Sequence, residues 1–252
     1  MNRTAIEYVD LTWNPCTGCE HGCDYCYARR IANRFNGTKA WLNGFAPVFH
    51  PERLSEPIKH KKPSRILVGS MGDLFGGWVP DQWIVDVMSV VETCPQHTFL
   101  FLTKNPARYS QFAAPCADWP DGYTWPDNAW LGTSIENQEA ANKRVPRLME
   151  ACALVHWLSI EPILGDIDLT EAMYGKEPCG MNCFGFTDGV GEEAFIQWVA
   201  VGAQTGPGAK PPKPESVNGI IEQCKMGVPL FLKNNLNWPE RIQEYPKVGE
   251  WA

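Results

Sequence analysis

The stretch Thr98-Phe99-Leu100-Phe101-Leu102-Thr103-Lys104 holds four apolar side chains in unbroken succession and then turns polar. Such a run is too short for a helix and lacks the alternation of a half-exposed strand. It reads as a parallel strand covered on both faces. Similar runs occur at Ile66–Gly69, Ala129–Ile135, Leu154–Ile160, Trp198–Gly202 and Pro229–Lys233, and a first strand is expected near Ile6–Leu11. Several of these runs start about 32 residues apart, the length of one strand–helix unit.

Helical patterns fill the intervals. Asp81 reads as the N-cap of a helix with Trp83, Ile84, Val87, Met88 and Val91 on one face. Asn105-Pro106 starts a short helix through Phe112. Asn137 to Cys152 is amphipathic, with a kink expected at Pro146. Ser216 to Met226 places Val217, Ile220, Ile221 and Cys224 together. The helix after Cys26 has Ala28, Ile31, Ala32 and Phe35 on one side and Arg29, Arg30 and Arg34 on the other. The fold class expected is α/β: a partial parallel (β/α) barrel of six to seven strands in one domain, 1–252, with a loop insertion at 166–193.

With 22 Lys+Arg against 29 Asp+Glu the net charge is −7, which argues against a protein that coats nucleic acid. No stretch nears the ~18 consecutive apolar residues of a membrane span, and Met1 to Asp10 has no apolar signal region. The expectation is a cytoplasmic monomer. The ten cysteines are then not a disulfide framework.

Cys16, Cys19, Cys23 and Cys26 fall in one short segment. Cys19-Glu20-His21-Gly22-Cys23-Asp24-Tyr25-Cys26 is a C-x3-C-x2-C loop. Three thiolates at these offsets can hold three corners of a [4Fe–4S] cube and leave one iron open to a substrate. The alternative is zinc with Cys16 as fourth ligand. Cys179 and Cys183 could join Cys16 at a second metal. His21 reads as a loop or outer-shell residue, and His156 as a satisfied core residue.

The loop resembles the signature of the radical S-adenosylmethionine (SAM) superfamily. Six segments, Val68–Phe75, Phe101–Arg108, Trp130–Glu136, Leu158–Leu164, Trp198–Pro207 and Val228–Asn234, resemble a phage- and prophage-associated radical SAM family long described as a domain of unknown function. The resemblance implies a catalytic [4Fe–4S] cluster on Cys19, Cys23 and Cys26, and reductive cleavage of SAM to a 5′-deoxyadenosyl radical that abstracts hydrogen from substrate. A reductant such as flavodoxin or ferredoxin follows from that chemistry. Tyr25 is expected near the adenine. Ser70, Gly72 and Asp73 are expected at the methionyl end, and Ser134 and Glu136 at the ribose. Lys104, Glu161, Gln204 and Lys233 are candidates on the substrate side, with Arg108. A modified pyrimidine nucleotide or DNA base leads as substrate. The rival readings are a photoproduct-lyase-like repair enzyme, an iron–sulfur electron carrier and a zinc-stabilised binding module; the carrier needs no SAM.

Overall fold

The computed structural model describes residues 1–38, 41–112, 125–174 and 196–247. In chain order the strands are β1 (Asn2–Arg3), β2 (Leu11–Trp13), β3 (Cys16–Thr17), β4 (Val48–Phe49), β5 (Arg65–Val68), β6 (Thr98–Thr103), β7 (Ala129–Ser134), β8 (Val155–Ile160), β9 (Trp198–Val201) and β10 (Leu230–Leu232). The helices are α1 (Tyr27–Arg34), α2 (Ser55–Lys59), α3 (Asp81–Glu92), α4 (Gln138–Met149), α5 (Thr170–Tyr174) and α6 (Pro214–Cys224).

One sheet runs in the order β1-β2-β5-β6-β7-β8-β9-β10. β1 is antiparallel to β2, and every later pairing is parallel. The fold is therefore α/β with a mostly parallel sheet, as expected. Among the described residues β10 does not pair with β2, so the sheet is open. Its free edges are covered: β1 lies on β2, and residues 242–244 run antiparallel beside β10 through Leu232 N to Ile242 O (2.8 Å) and Glu244 N to Leu230 O (2.9 Å). Covered edges deny a second chain a template for pairing.

The continuous apolar runs are explained by two cores, one on each face. Ile66, Val68, Phe99, Phe101, Leu131, Leu158, Ile160, Val199 and Val201 share a cluster with Ile84, Val87, Val91, Val145, Leu148, Val217 and Ile220 of α3, α4 and α6. The alternate residues Leu67, Leu100, Trp130, Trp157, Trp198, Ala200 and Phe231 cluster with Tyr8 and Val9. Tyr8 meets Trp157, Trp198 and Phe231 edge-on at 5.8, 5.5 and 5.8 Å between ring centroids. The inner face is thus plugged by aromatic rings. Gly132 makes room for them, because a Cβ there would lie 2.4 Å from the Trp157 indole.

Several local expectations need correcting. The first parallel strand is Leu11–Trp13, not Ile6–Leu11. Residues 6–9 form a turn, closed by Val9 N to Ile6 O, and their apolar side chains serve the inner plug. Asp81 is the first residue of α3 and Pro80 its cap; the Asp81 carboxylate pairs with Arg108 instead. Asn137 does cap α4, accepting from Ala140 N at 2.9 Å, and Pro146 lies inside α4 without ending it. Asn105-Pro106 opens one 3-10 turn, Pro106–Arg108, rather than a helix through Phe112. On α1 only Ala28 and Ala32 are buried, whereas Ile31 and Phe35 are 38% and 47% exposed. Cys116, Cys179 and Cys183 lie outside the described residues, as does most of the expected insertion. No helix among the described residues is long and apolar enough to cross a membrane.

Candidate active site

Side chains alternate along a strand, so the inner face continues past the last paired residues. Leu102 leads to Lys104, Ser134 to Glu136, Ser159 to Glu161, and Phe231 to Lys233. These groups form two pairs at the strand ends, and Lys233 Nζ lies 5.8 Å from the centre of the Tyr8 ring. Lys104 Nζ donates to Glu136 Oε2 at 2.9 Å, and Lys233 Nζ to Glu161 Oε2 at 2.6 Å. Gly202 gives Glu161 its space, since a Cβ there would lie 3.0 Å from Glu161 Cγ. Glu161 Oε1 is buried without a hydrogen-bond partner among the described residues. Burial raises the Tyr8 phenol well above its ordinary pKa, and the nearby Glu161 charge adds to this. Half-buried Gln204 carries no side-chain hydrogen bond to another described residue.

The cysteine loop enters from β3 across two glycines. Gly18 N donates to Met71 O at 2.9 Å, and Gly18 bridges Gly72. Gly18 has φ +88°, and a Cβ there would lie 2.2 Å from Ala46 O; one on Gly72 would lie 2.8 Å from Gly18 O. Only glycine permits either approach. Cys19, Cys23 and Cys26 are half-buried free thiols, whereas Cys16 is buried in β3. Cys26 caps α1, its Sγ accepting from Arg29 N at 3.3 Å. Burial pushes the Cys19 thiol up to about 12; the backbone at His21 counteracts this and the Asp73 charge adds to it. A bound cation would reverse that balance by taking the thiolate form. Among the described residues no three His, Cys, Asp or Glu side chains are gathered round a common metal position.

Three tethers join the loop and α1 to the strand ends. His21 Nε2 lies 2.7 Å from Asp73 Oδ2, and its ring meets Trp78 edge-on at 4.8 Å. Tyr25 OH accepts from Lys104 Nζ at 2.6 Å. Tyr27 OH donates to the Ser70 carbonyl. Asp73 also accepts from Phe75 N at Oδ1 (2.9 Å) and from Thr103 Oγ1 (2.9 Å) and Lys104 N (3.1 Å) at Oδ2. Burial opposes the charge of Glu136, but Lys104 and Arg144 outweigh it and hold the carboxyl below its ordinary range. Arg144 Nη1 donates to Glu136 Oε2 and to Ser134 O, both at 2.7 Å. Burial raises the Tyr25 phenol well above its ordinary value, with Glu136 and Cys23 adding to it.

Arg108 is not at this mouth. It is buried, donating to Gly76 O at 2.6 Å and pairing with Asp81. Four contributors were missed in the sequence: Tyr8, Asn14, Tyr27 and Arg144. Asn14 Oδ1 fixes the turn after β5 by accepting from Met71 N (2.8 Å) and Ser70 Oγ (3.2 Å). Asn14 follows β2 beside β5, a place hidden while that strand was expected at Ile6–Leu11; Arg144 looked like any polar position of an amphipathic helix.

The family model described as Protein of unknown function (DUF5131) matches residues 3–249. The chain belongs to this family. No curated protein matches the DUF5131 chain. Among solved structures it resembles a spore photoproduct lyase mutant with bound AdoMet and dinucleoside spore photoproduct: 11% identity, TM-score 0.47, covering 88% of this chain and 62% of that one. A second lyase mutant gives 14% identity and TM-score 0.46, with 90% and 64% covered. The lyase complexed with dinucleoside spore photoproduct gives 12% and 0.44, with 75% and 54% covered. The DUF5131 chain spans less than two thirds of the length of each lyase chain.

Proposed function

We propose that this DUF5131 chain is a radical SAM enzyme. The observation that carries the reading is the C-x3-C-x2-C loop tethered at the C-terminal ends of a parallel sheet, where α/β folds collect their chemistry. The donor set suits the group: three thiols on one loop, one capping a helix, with Cys16 committed to β3. Soft thiolates favour iron–sulfur chemistry, and three of them leave one iron free. Cys19, Cys23 and Cys26 would hold the cluster, which with SAM supplies a 5′-deoxyadenosyl radical for hydrogen abstraction. A low-potential donor such as flavodoxin or ferredoxin supplies the electron.

The chain's own residues then bind, orient and exclude water. Tyr25, within the loop, and Ser70, beside it, serve the cofactor side, and Ser134 and Glu136 offer acceptors for ribose hydroxyls. Gly72 and Asp73 act through the loop, one by admitting Gly18 and the other by holding His21. Glu161, Gln204 and Lys233 form the substrate side. We assign the substrate to pyrimidine nucleotides or DNA bases. The net charge of −7 favours a small nucleotide, or a base flipped out of its stack, over grip on a duplex.

The test is spectroscopic. Anaerobically reconstituted protein should hold a [4Fe–4S] cluster whose reduced electron paramagnetic resonance spectrum changes on addition of SAM. A cluster indifferent to SAM would favour the electron carrier.

A further inference from the structure

Lys104 stands where two tethers of the cysteine loop cross. Its backbone N donates to Asp73, the carboxylate that holds His21, and its ammonium donates to Tyr25 OH. The same ammonium bonds Glu136, which also takes Arg144. The side chains of Lys104, Glu136 and Arg144 are mostly shielded, at 14%, 16% and 18% exposure. Counting Asp73, which takes the Lys104 backbone N, two cations face two carboxylates, and the cation that touches Tyr25 OH is the Lys104 ammonium. Lys104 Nζ lies 5.2 Å from the centre of the Tyr25 ring, and Tyr25 lies between Cys23 and Cys26 in sequence.

We propose that Lys104 is a positioning residue for the cysteine loop rather than a group that touches substrate. It ties the loop to the ends of β6 and β7, and it keeps a fixed positive charge beside the iron site. The identity of the cargo rests on the radical SAM reading; the tether is a property of the chain itself. Register explains why one lysine can do both. Thr103 of β6 is paired with Thr133 of β7, so Lys104 and Glu136 leave adjacent strands on the same face. Arg144 then orients the carboxylate from α4. Buried charge-assisted bonds of this kind hold geometry more firmly than exposed ones.

The experiment uses the full chain in four forms: wild type, Lys104→Met, Lys104→Arg and Tyr25→Phe. Amide hydrogen exchange of the peptide spanning 19–27 is followed without iron, and the reduction potential is titrated after reconstitution. Lys104→Met should speed exchange in that peptide at least fivefold, leave the sheet peptides unchanged, and make the cluster harder to reduce. Lys104→Arg keeps the charge and should restore the potential. Tyr25→Phe removes one hydroxyl, should speed loop exchange, and should leave the potential at the wild-type value. Unchanged loop exchange in both Lys104→Met and Tyr25→Phe would overturn the proposal, as would an unchanged potential in Lys104→Met. If Lys104→Met fails to fold, loop exchange in Tyr25→Phe decides. If the wild type builds no cluster, the radical SAM reading fails, and exchange still decides the tether.

Discussion

His21 Nε2 lies 2.7 Å from Asp73 Oδ2, joining the middle of the cysteine loop to the turn after β5. Asp73 sits in a turn that looked, in the sequence, like a place for the methionyl end of SAM. In the structure its carboxylate bonds Phe75, Thr103, Lys104 and His21. The acid beneath the loop is therefore an organiser of the loop.

Asp73→Asn should destabilise the protein. One amide oxygen can still accept from Phe75 N, but the amide nitrogen would face donors at Thr103 and Lys104. Leaving such buried donors unmatched costs about 2–4 kcal/mol. Chemical denaturation should show that loss, and the reconstituted variant should surrender iron to a chelator faster than wild type. A variant as stable as wild type would show that the carboxylate is not holding the turn.

Gly132→Ala tests the aromatic plug. The new methyl would sit 2.4 Å from the Trp157 indole, which is enclosed by Tyr8 and Trp198. Overpacking of this kind costs roughly 1–3 kcal/mol. The expected result is a lower thermal midpoint and changed tryptophan fluorescence, with absorbance of the reconstituted cluster unchanged.

His156 gives a pH dependence. Burial lowers its pKa from 6.5 to about 4, while its hydrogen bond to Ala151 O (2.8 Å) pulls the other way. Between pH 6.5 and 4 the unfolded chain takes up a proton that the folded chain refuses. Stability from this group is therefore complete above 6.5 and falls as the pH drops toward 4, by about 1.4 kcal/mol per unit. His156→Gln keeps a donor for Ala151 O but does not titrate. Urea unfolding at pH 7.5 and 5 should show wild type losing ~2 kcal/mol more than the variant. Equal losses would mean that His156 is solvated in the folded state.

Replacing Cys19, Cys23 or Cys26 by Ala should abolish the absorbance of a reconstituted cluster, whereas Cys16→Ala should leave it. Cys16 is buried in β3, paired opposite Phe49, and burial pushes its thiol up to about 12. Loss of the cluster in Cys16→Ala with retention in Cys23→Ala would reverse the ligand assignment.

Six of the seven expected strands lie where the apolar runs placed them, because a strand buried on both faces must be apolar throughout. The first was displaced, because the apolar residues around Tyr8 are also buried, but in the plug. The polar residues that end the apolar runs made Lys104, Glu136, Glu161 and Lys233 legible as candidates at the strand ends. Their pairing was not legible. That Lys104 takes Glu136 while Lys233 takes Glu161 depends on register between strands distant in sequence. Arg144, eight residues after Glu136, returns to it only because α4 packs back against β7. The use of Gly72 was likewise hidden, since its partner is the backbone of Gly18 rather than any side chain.

The most direct measurement is of SAM itself. Anaerobically reconstituted protein is mixed with SAM and dithionite, and 5′-deoxyadenosine is quantified against the same protein without reductant and against Cys23→Ala. Formation of 5′-deoxyadenosine that requires both reductant and Cys23 is the expected result. A protein that holds a full [4Fe–4S] cluster, is reduced by dithionite, and yields none would contradict the radical SAM assignment.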